Sequence, residues 1–263
     1  MFPFINVPFL PRPLSVYALL GILGIVVATF VAGFRAKRYD LTRSDTVYIA
    51  AFASVGLLIG SMVLFAITQI PNMIRNWHTV NTVTDFFEFI MQYFGGLVFY
   101  GGLFGAFIAV RIYAKRMKIP IQNILALAIP VFPLAHAIMR VGCFAAGCCF
   151  GIEHAPPLGI PAALLGNPNG VRLPVQLYET VVNLIIFAVI WIFSRKERDW
   201  KSIACLYGLM YGVARFWLEF LRGDLGRGIW FGLSTSQIIS IAVVALCVFG
   251  LVYRRTPKDE TKA

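Results

Sequence analysis

Long apolar runs, broken by short connectors that carry most of the charge, set the pattern of this chain. A bilayer core of ~30 Å takes about 20 apolar residues in a helix. Seven stretches reach or approach that length: 14–34, 47–68, 96–113, 122–139, 176–194, 203–221 and 231–253. The pattern predicts an all-α, polytopic membrane protein with seven transmembrane helices. The connectors test the count. Arg35, Lys37, Arg38 and Arg43 follow the first run, and Arg111, Lys115, Arg116 and Lys118 close the third. Arg195, Lys196, Arg198 and Lys201 follow the fifth, and Arg254, Arg255, Lys258 and Lys262 lie in the tail. Sixteen of the 23 basic residues thus fall on alternate connectors. Short basic connectors stay cytoplasmic, which places the N-terminus outside and the C-terminus in the cytoplasm.

Composition agrees with a membrane protein. The 263 residues are 59% hydrophobic and 13% charged, where a soluble domain carries about 25% charged residues. The formal charge of +11 sits on topology-setting connectors, so it argues against a nucleic-acid partner. Residues 1–13 hold four prolines and Arg12 rather than a basic start and a short apolar core. No cleavable signal peptide is therefore expected, and the first span serves as its own insertion signal. Residues 1–263 read as a single transmembrane domain, with segments 69–95, 140–175 and 222–230 on the outer side. The first holds Asp85-Phe86-Phe87-Glu88-Phe89, the pattern of an amphipathic helix lying in the interface. The second is rich in Pro and Gly from Pro156 to Pro174, and a loop of that length in a bundle is usually functional. In the third, Asp224 and Arg227 read as a surface turn.

Chemistry gathers where polar residues interrupt the apolar runs. The stretch Arg140-Val141-Gly142-Cys143-Phe144-Ala145-Ala146-Gly147-Cys148-Cys149-Phe150-Gly151 combines a charge, three cysteines and three glycines. Lipid tolerates irregular polar backbone only where protein or water surrounds it, which marks this stretch as a candidate site. In the sixth run Tyr211, Arg215 and Glu219 share one helix face, and Arg222 follows. An arginine within a span costs ~2.5–3.5 kcal/mol and needs an acidic partner, a wet cavity or a bound anion. An Arg215–Glu219 pair that only fixes packing is one reading. Convergence of Arg215 with Arg140 on a phosphate, in a membrane a phospholipid headgroup, is the other.

Other features have simpler explanations. The glycines from Gly95 to Gly105 let helices approach closely or break the helix start, with Tyr100 an interfacial aromatic among them. Glu179 reads as a carboxylate capping the fifth span. A disulfide of Cys143 with Cys148 or Cys149 suits an oxidising outer side. Zinc has less support, because only His136 and His154 lie nearby and the spacing is unusual. His136, one turn before Arg140, either activates a cysteine as nucleophile or simply packs. Cys205 and Cys247 read as small buried side chains. No metal and no cofactor are expected.

Together these segments resemble the prolipoprotein diacylglyceryl transferase family over nearly the whole chain. The family signature Gly-Arg-x-x-Asn-Phe-x-Asn-x-Glu-x-x-Gly is matched in register by Arg140, Phe144 and Gly151. Its His-Pro-Ser-Gln-Leu-Tyr-Glu is similar to Leu173-Pro174-Val175-Gln176-Leu177-Tyr178-Glu179. Its Tyr-Gly-x-x-Arg-Phe-x-x-Glu-Phe-x-Arg is matched by Tyr211, Gly212, Arg215, Phe216, Glu219, Phe220 and Arg222. Gly232-Leu233-Ser234 with Gln237 resembles the opening of the last span, and Tyr17 falls where a tyrosine of the first span is expected.

The resemblance implies seven spans in a bacterial cytoplasmic (inner) membrane. It also implies transfer of a diacylglyceryl group from phosphatidylglycerol to the thiol of a lipobox prolipoprotein, with glycerol phosphate leaving. It assigns catalysis to Arg140, Arg215, Glu219, Tyr100 and Cys148. It assigns substrate binding to Tyr17, Gly101, Gly102, Cys143, Gly151, Gln176, Tyr178, Glu179, Tyr211 and Arg222. Departures accompany the matches. The family's His-Gly-Gly-Leu is Tyr100-Gly101-Gly102-Leu103 here, the two signature asparagines are Cys143 and Ala146, and the glutamate is Cys148. The base that frees the acceptor thiol is then Tyr100, with an ordinary pKa of ~10, or His136 or Glu179 in its place. Two further readings are a divergent paralogue that works through Cys143, Cys148 or Cys149, and a lipid-binding protein without turnover.

Overall fold

The apolar runs fold as helices whose ends are set by local chemistry. A computed structural model describes residues 4–5, 13–161, 170–196, 198–223, 228–230 and 232–253. Among them lie helices α1 (Val16–Gly33), α2 (Arg43–Asn76), α3 (Val83–Phe94), α4 (Phe99–Arg116), α5 (Ile121–Ala128), α6 (Phe132–Ala146), α7 (Val175–Phe193), α8 (Trp200–Glu219) and α9 (Thr235–Tyr253). Helices α1, α2, α7 and α9 are each long and apolar enough to cross a membrane. Six such spans result if each of two bent pairs counts as one: α3 with α4, bent by 88°, and α5 with α6, bent by 48°. The chain is a mostly helical, multi-pass membrane protein. Helix α8 carries Lys201, Arg215 and Glu219 among its apolar residues and is not among these spans.

Among the described residues, three short antiparallel pairings, which the periodicity did not predict, supplement the helices. They join β1 (Phe4–Ile5) to β2 (Leu14–Ser15), β3 (Ile160–Pro161) to β4 (Val171–Arg172), and β5 (Ile229–Trp230) to β6 (Leu233–Ser234).

Two segments expected on the outer side begin as continuations of helices. Helix α2 continues past residue 69 to Asn76, because a polar ladder supports its last turns. Asn72 Nδ2 donates to Gln69 Oε1 at 2.8 Å, and Arg75 donates to Asn72 Oδ1 at 2.9 Å. Helix α6 likewise runs through Arg140 and Cys143 to Ala146, where Gly147 in the left-handed region (φ 71°) ends it. The irregular backbone expected from Arg140 onward therefore starts only at Gly147. The expected span 122–139 is broken around Pro130 and Pro133, since proline lacks the N–H that a continuous helix needs. The expected amphipathic helix is α3, started by a Thr82–Asp85 capping box and burying Phe89 and Tyr93. Asp224, Arg227, Arg12 and the basic tail lie outside the described residues.

The chain divides into two compact units, residues 33–124 and residues 1–32 with 125–263. In the first, α2 and α4 meet along a glycine seam. A Cβ on Gly60 would lie 2.8 Å from Gly105 Cα, and one on Gly105 would lie 2.8 Å from Gly60 Cα. One on Gly56 would meet the Gly105 carbonyl. Backbones this close leave no room for a side chain. Asp45 closes a capping box with Thr42 and accepts from Tyr113 Oη at 3.0 Å, tying the start of α2 to the end of α4.

In the second unit α6, α7, α8 and α9 follow one another as packed neighbours. Helix α1 lies along α6, where Gly24 faces the Ala135 backbone and Gly142 faces Tyr17 and Leu20. The C-terminal ends of α6 and α8 and the N-terminal ends of α7 and α9 come together at one end of this unit.

Candidate functional site

At that end, the residues that follow α6 form a junction that fixes everything around it. Gly151 N donates to Leu173 O at 2.8 Å, Ile152 N to Leu221 O at 3.0 Å, and Leu173 N to Ile152 O at 3.0 Å. Gly223 N donates to Phe150 O at 3.2 Å. A Cβ on Gly151 would lie 2.7 Å from Leu173, from the Leu221 carbonyl and from Val175. Gly151, expected to bind substrate, is thus the close-packed point at which three segments meet. The bridge between Gly151 and Arg222 sets the arginine that follows α8 beside α7.

The centre of the site is Glu179. Its Oε2 pairs with Arg140 Nε from α6. Its Oε1 accepts from Arg215 Nη1 of α8 at 3.4 Å and from Arg222 Nη1 at 3.2 Å. Three guanidinium groups therefore share one carboxylate whose side chain is only 4% exposed. The capping role expected for Glu179 is corrected. Helix α7 starts at Val175 with no acidic residue in its first turn, so Glu179 lies in the second turn and faces the arginines. Arg215 also pairs with Glu219, one turn on, at 2.5 Å and donates to Ser236 Oγ at the start of α9 at 3.2 Å. The expected Arg215–Glu219 pair is present, and Arg140 and Arg215 come together on the Glu179 carboxylate.

The surrounding residues hold this cluster. His136 Nε2 accepts from Arg140 Nε at 3.3 Å, and its ring faces Tyr211 with centroids 5.6 Å apart. Tyr211 stacks on Tyr207 at 5.7 Å. Asn183 is fully buried one turn after Glu179 and donates to its carbonyl at 2.7 Å. Gln176 is buried and donates through Nε2 to Cys148 O at 2.6 Å. Tyr178 donates to Leu158 O at 3.4 Å. Gln237 and Ser234 exchange hydrogen bonds with each other's backbone N–H groups at 2.9 and 3.2 Å, which starts α9 and places Ser236.

The cysteines form a second cluster beside the first. The sulfur atoms of Cys143, Cys148 and Cys149 all lie within 4.8 Å of one another, as free thiols. Arg140 Nη1 approaches Cys143 Sγ at 3.9 Å. Tyr17 stands within electrostatic reach of all three cysteines and of Arg140. Hydrogen bonds from the Cys143 and Cys148 thiols hold the Cys149 thiol well below its ordinary range, and Arg222 and Arg140 add to the effect. His136 engages Arg140 and Tyr211, and His154 Nδ1 lies 2.8 Å from the Ala155 carbonyl.

Tyr100, Gly101 and Gly102 belong to the other unit. There Tyr100 is exposed in the first turn of α4, while Gly101 and Gly102 lie against Gly60, Leu64, Ser61 and Leu57 of α2.

Comparison with known proteins decides the family. The profile described as prolipoprotein diacylglyceryl transferase matches residues 5–253. The chain belongs to this family. It is 32% identical over 240 residues to a phosphatidylglycerol–prolipoprotein diacylglyceryl transferase of Clostridium tetani, covering 89% of this chain and 90% of the relative. A second enzyme of that name, numbered 2, from Clostridium perfringens is 28% identical over 84% of each chain. One from Pseudomonas putida is 27% identical over 94% of this chain and 92% of its own length.

Within the family framework, Ser236 and Asn183 are site residues that sequence reasoning did not single out. Asn183 did carry a signal, as a polar residue four positions after Glu179 in an otherwise apolar run. Ser236 carried none, since a serine at a helix start has an ordinary local explanation.

Proposed function

We propose that this chain transfers the diacylglyceryl group of phosphatidylglycerol to the cysteine thiol of a prolipoprotein at the outer side of a bacterial cytoplasmic membrane. The observation that carries the reading is the buried convergence of Arg140, Arg215 and Arg222 on Glu179 in a chain of this family. Family membership does not favour the cysteine paralogue or the lipid binder without turnover.

In this reaction the acceptor thiolate attacks the glyceryl carbon that carries the phosphate. A C–S bond forms, the C–O bond breaks, and its electron pair leaves with glycerol phosphate. Negative charge thus grows on the departing oxygen. Arginines suit that task because their charge persists and their planar fork matches phosphate. Held in an apolar, water-poor setting, such donors are worth several kcal/mol at the transition state. Glu179 and Glu219 keep the guanidinium groups from scattering by repulsion, and His136 and Tyr211 fix the Arg140 side of the cluster. Tyr17, Gln176 and Tyr178 border the site, and the glycines of α4 with Tyr100 are assigned to it by resemblance. Seven spans, with α8 as one of them and the N-terminus outside, fit the alternation of basic connectors. We read the whole chain as a single transmembrane domain.

The test is transfer of a labelled diacylglyceryl group from phosphatidylglycerol to a lipobox peptide by the purified protein in detergent. Thioether product and released glycerol phosphate are expected, with Arg140→Ala and Arg215→Ala lowering turnover at least about 100-fold. Folded protein that binds phosphatidylglycerol and yields neither product would overturn the reading.

A further inference from the structure

The departures from the family signature collect at one point. Cys143 and Cys148 replace a signature asparagine and glutamate, and Cys149 follows directly. The path of the chain brings the three sulfurs together. Helix α6 presents Cys143 in its last turn, Gly147 reverses the backbone, and Cys148 N donates to Cys143 O at 3.1 Å. Cys149 itself adopts φ 61°, which a residue with a Cβ takes up only when its surroundings impose it. The turn is anchored from two sides, by Gln176 on the Cys148 carbonyl at 2.6 Å and by Gly223 N on the Phe150 carbonyl at 3.2 Å.

The arrangement fits a thiophilic cation. Three thiolates at Zn–S distances of about 2.3 Å in tetrahedral geometry stand about 3.8 Å apart. The sulfurs already lie within 4.8 Å of one another, close to that spacing. Soft sulfur ligands select zinc or monovalent copper over magnesium or calcium. Closed structural zinc sites use four protein ligands, whereas three ligands leave a fourth position open for reactant. Accessibility is graded across the cluster: Cys143 is buried, Cys149 half-buried and Cys148 exposed, so the open position faces the Cys148 side. Three thiolates around a divalent cation carry one net negative charge, and the Arg140 guanidinium adjoins it.

We propose that Cys143, Cys148 and Cys149 bind one thiophilic d10 cation, with zinc as the fitting ion, and that its open position takes the acceptor thiol. The second half of this proposal rests on the transferase reading above. As the acceptor sulfur binds the metal, its S–H proton passes to water and a metal–sulfur bond forms. The bound thiolate then makes the C–S bond while the glyceryl C–O bond breaks and its electron pair departs with glycerol phosphate. The metal–acceptor bond is released with the thioether, and no electron is gained or lost by the metal. A coordinating thiol is deprotonated outright. The metal thereby supplies the deprotonation for which the chain has neither the family histidine nor the signature glutamate.

The experiment uses the full-length protein in detergent, kept reduced with a phosphine and stripped with a chelator. Cobalt(II) is the optical probe, and zinc is measured by competition with a chromophoric chelator. One equivalent of cobalt with sulfur-to-metal absorption is expected. Affinity should fall at least about 100-fold in Cys143→Ser, Cys148→Ser and Cys149→Ser, and stay unchanged in Cys205→Ser. A lipobox peptide should shift the cobalt spectrum, and the same peptide with serine for its cysteine should not. Transfer should vanish in the stripped protein and return with zinc. Transfer that persists without metal binding, or a protein isolated two mass units light with a Cys143 disulfide, overturns the proposal and leaves the transferase reading standing. Metal binding to which the peptide is indifferent, with full activity after stripping, overturns the activating role. A peptide-sensitive metal site with no diacylglyceryl transfer supports the site and overturns the transferase reading instead. The peptide titration uses the unmutated protein, so the outcome does not depend on whether the serine variants fold.

Discussion

Glu179→Gln is the most informative single change, because it removes the one negative group that three arginines share while keeping its size. At the observed 3.2 and 3.4 Å, each of the Arg222 and Arg215 contacts has a gross attraction of about 5 kcal/mol at an effective dielectric near 20. Desolvation of the charges offsets most of that in the intact cluster. Loss of one partner is different: the remaining buried charges keep their desolvation cost and lose their compensation, at about 3–5 kcal/mol. The side chains of Arg222, Arg140 and Arg215 are 3%, 13% and 11% exposed, so water cannot replace the carboxylate. A glutamine amide would also point N–H donors at guanidinium donors. We therefore expect Glu179→Gln to destabilise the folded protein by about 3–5 kcal/mol in an SDS titration of the detergent-solubilised enzyme. In the Glu179→Gln, Arg222→Gln cycle, the two changes together should cost at least ~1.5 kcal/mol less than their sum. A Glu179→Gln protein within ~1 kcal/mol of the parent, or strict additivity in the cycle, would refute a shared buried carboxylate.

Other expectations can be checked on the same preparation. Arg215→Lys should lose transfer nearly as far as Arg215→Ala, because one ammonium cannot serve Glu179, Glu219 and Ser236 together; a fully active lysine variant would count against the fork. Gly151→Ala should lower both stability and turnover, since its methyl would meet three neighbours at 2.7 Å; an SDS midpoint equal to the parent's would show that the junction gives way easily. In metal-free protein the Cys149 thiol, held low by its cysteine neighbours, stays ionised as pH falls below the range where a free thiol of pKa about 8.5 has reprotonated. Iodoacetamide labelling at pH 6.5, read by mass spectrometry, should therefore favour Cys149 over free cysteine, and equal loss of reactivity would contradict the hydrogen-bond arrangement.

The helical plan was legible because apolar run length is a direct consequence of bilayer thickness, and the four helices long and apolar enough to cross a membrane overlap predicted spans. Run length does not see where a helix ends when polar side chains support its last turns. That is why Gln69, Asn72 and Arg75 prolong α2 beyond the expected boundary, and why Arg140 and Cys143 proved helical. Within the site, Arg215 and Glu219 were legible as a pair because four residues make one helix turn. Glu179 was visible as a residue but not as a hub. Its position near a helix start offered an adequate local explanation, and its partners lie 36, 39 and 43 residues away in sequence. The strand pairings and the Gly151 junction were not legible either, since two-residue pairings carry no periodicity.

The distribution of the cluster's charges bears on how the chain enters a membrane. Arg140 and Glu179 sit on consecutive helices, and Arg215 and Glu219 on one helix a turn apart. A translocation machinery that releases helices as hairpins thus meets each of these two cations together with an anion that can neutralise it. Insertion scales charge several kcal/mol for an isolated arginine in hydrocarbon, so this order lowers the penalty of bringing Arg140 into a membrane before the bundle closes. Arg222, beyond the end of α8, reaches Glu179 only through the Gly151 junction, which makes its arrival the act that completes the site rather than one that helps the helices enter.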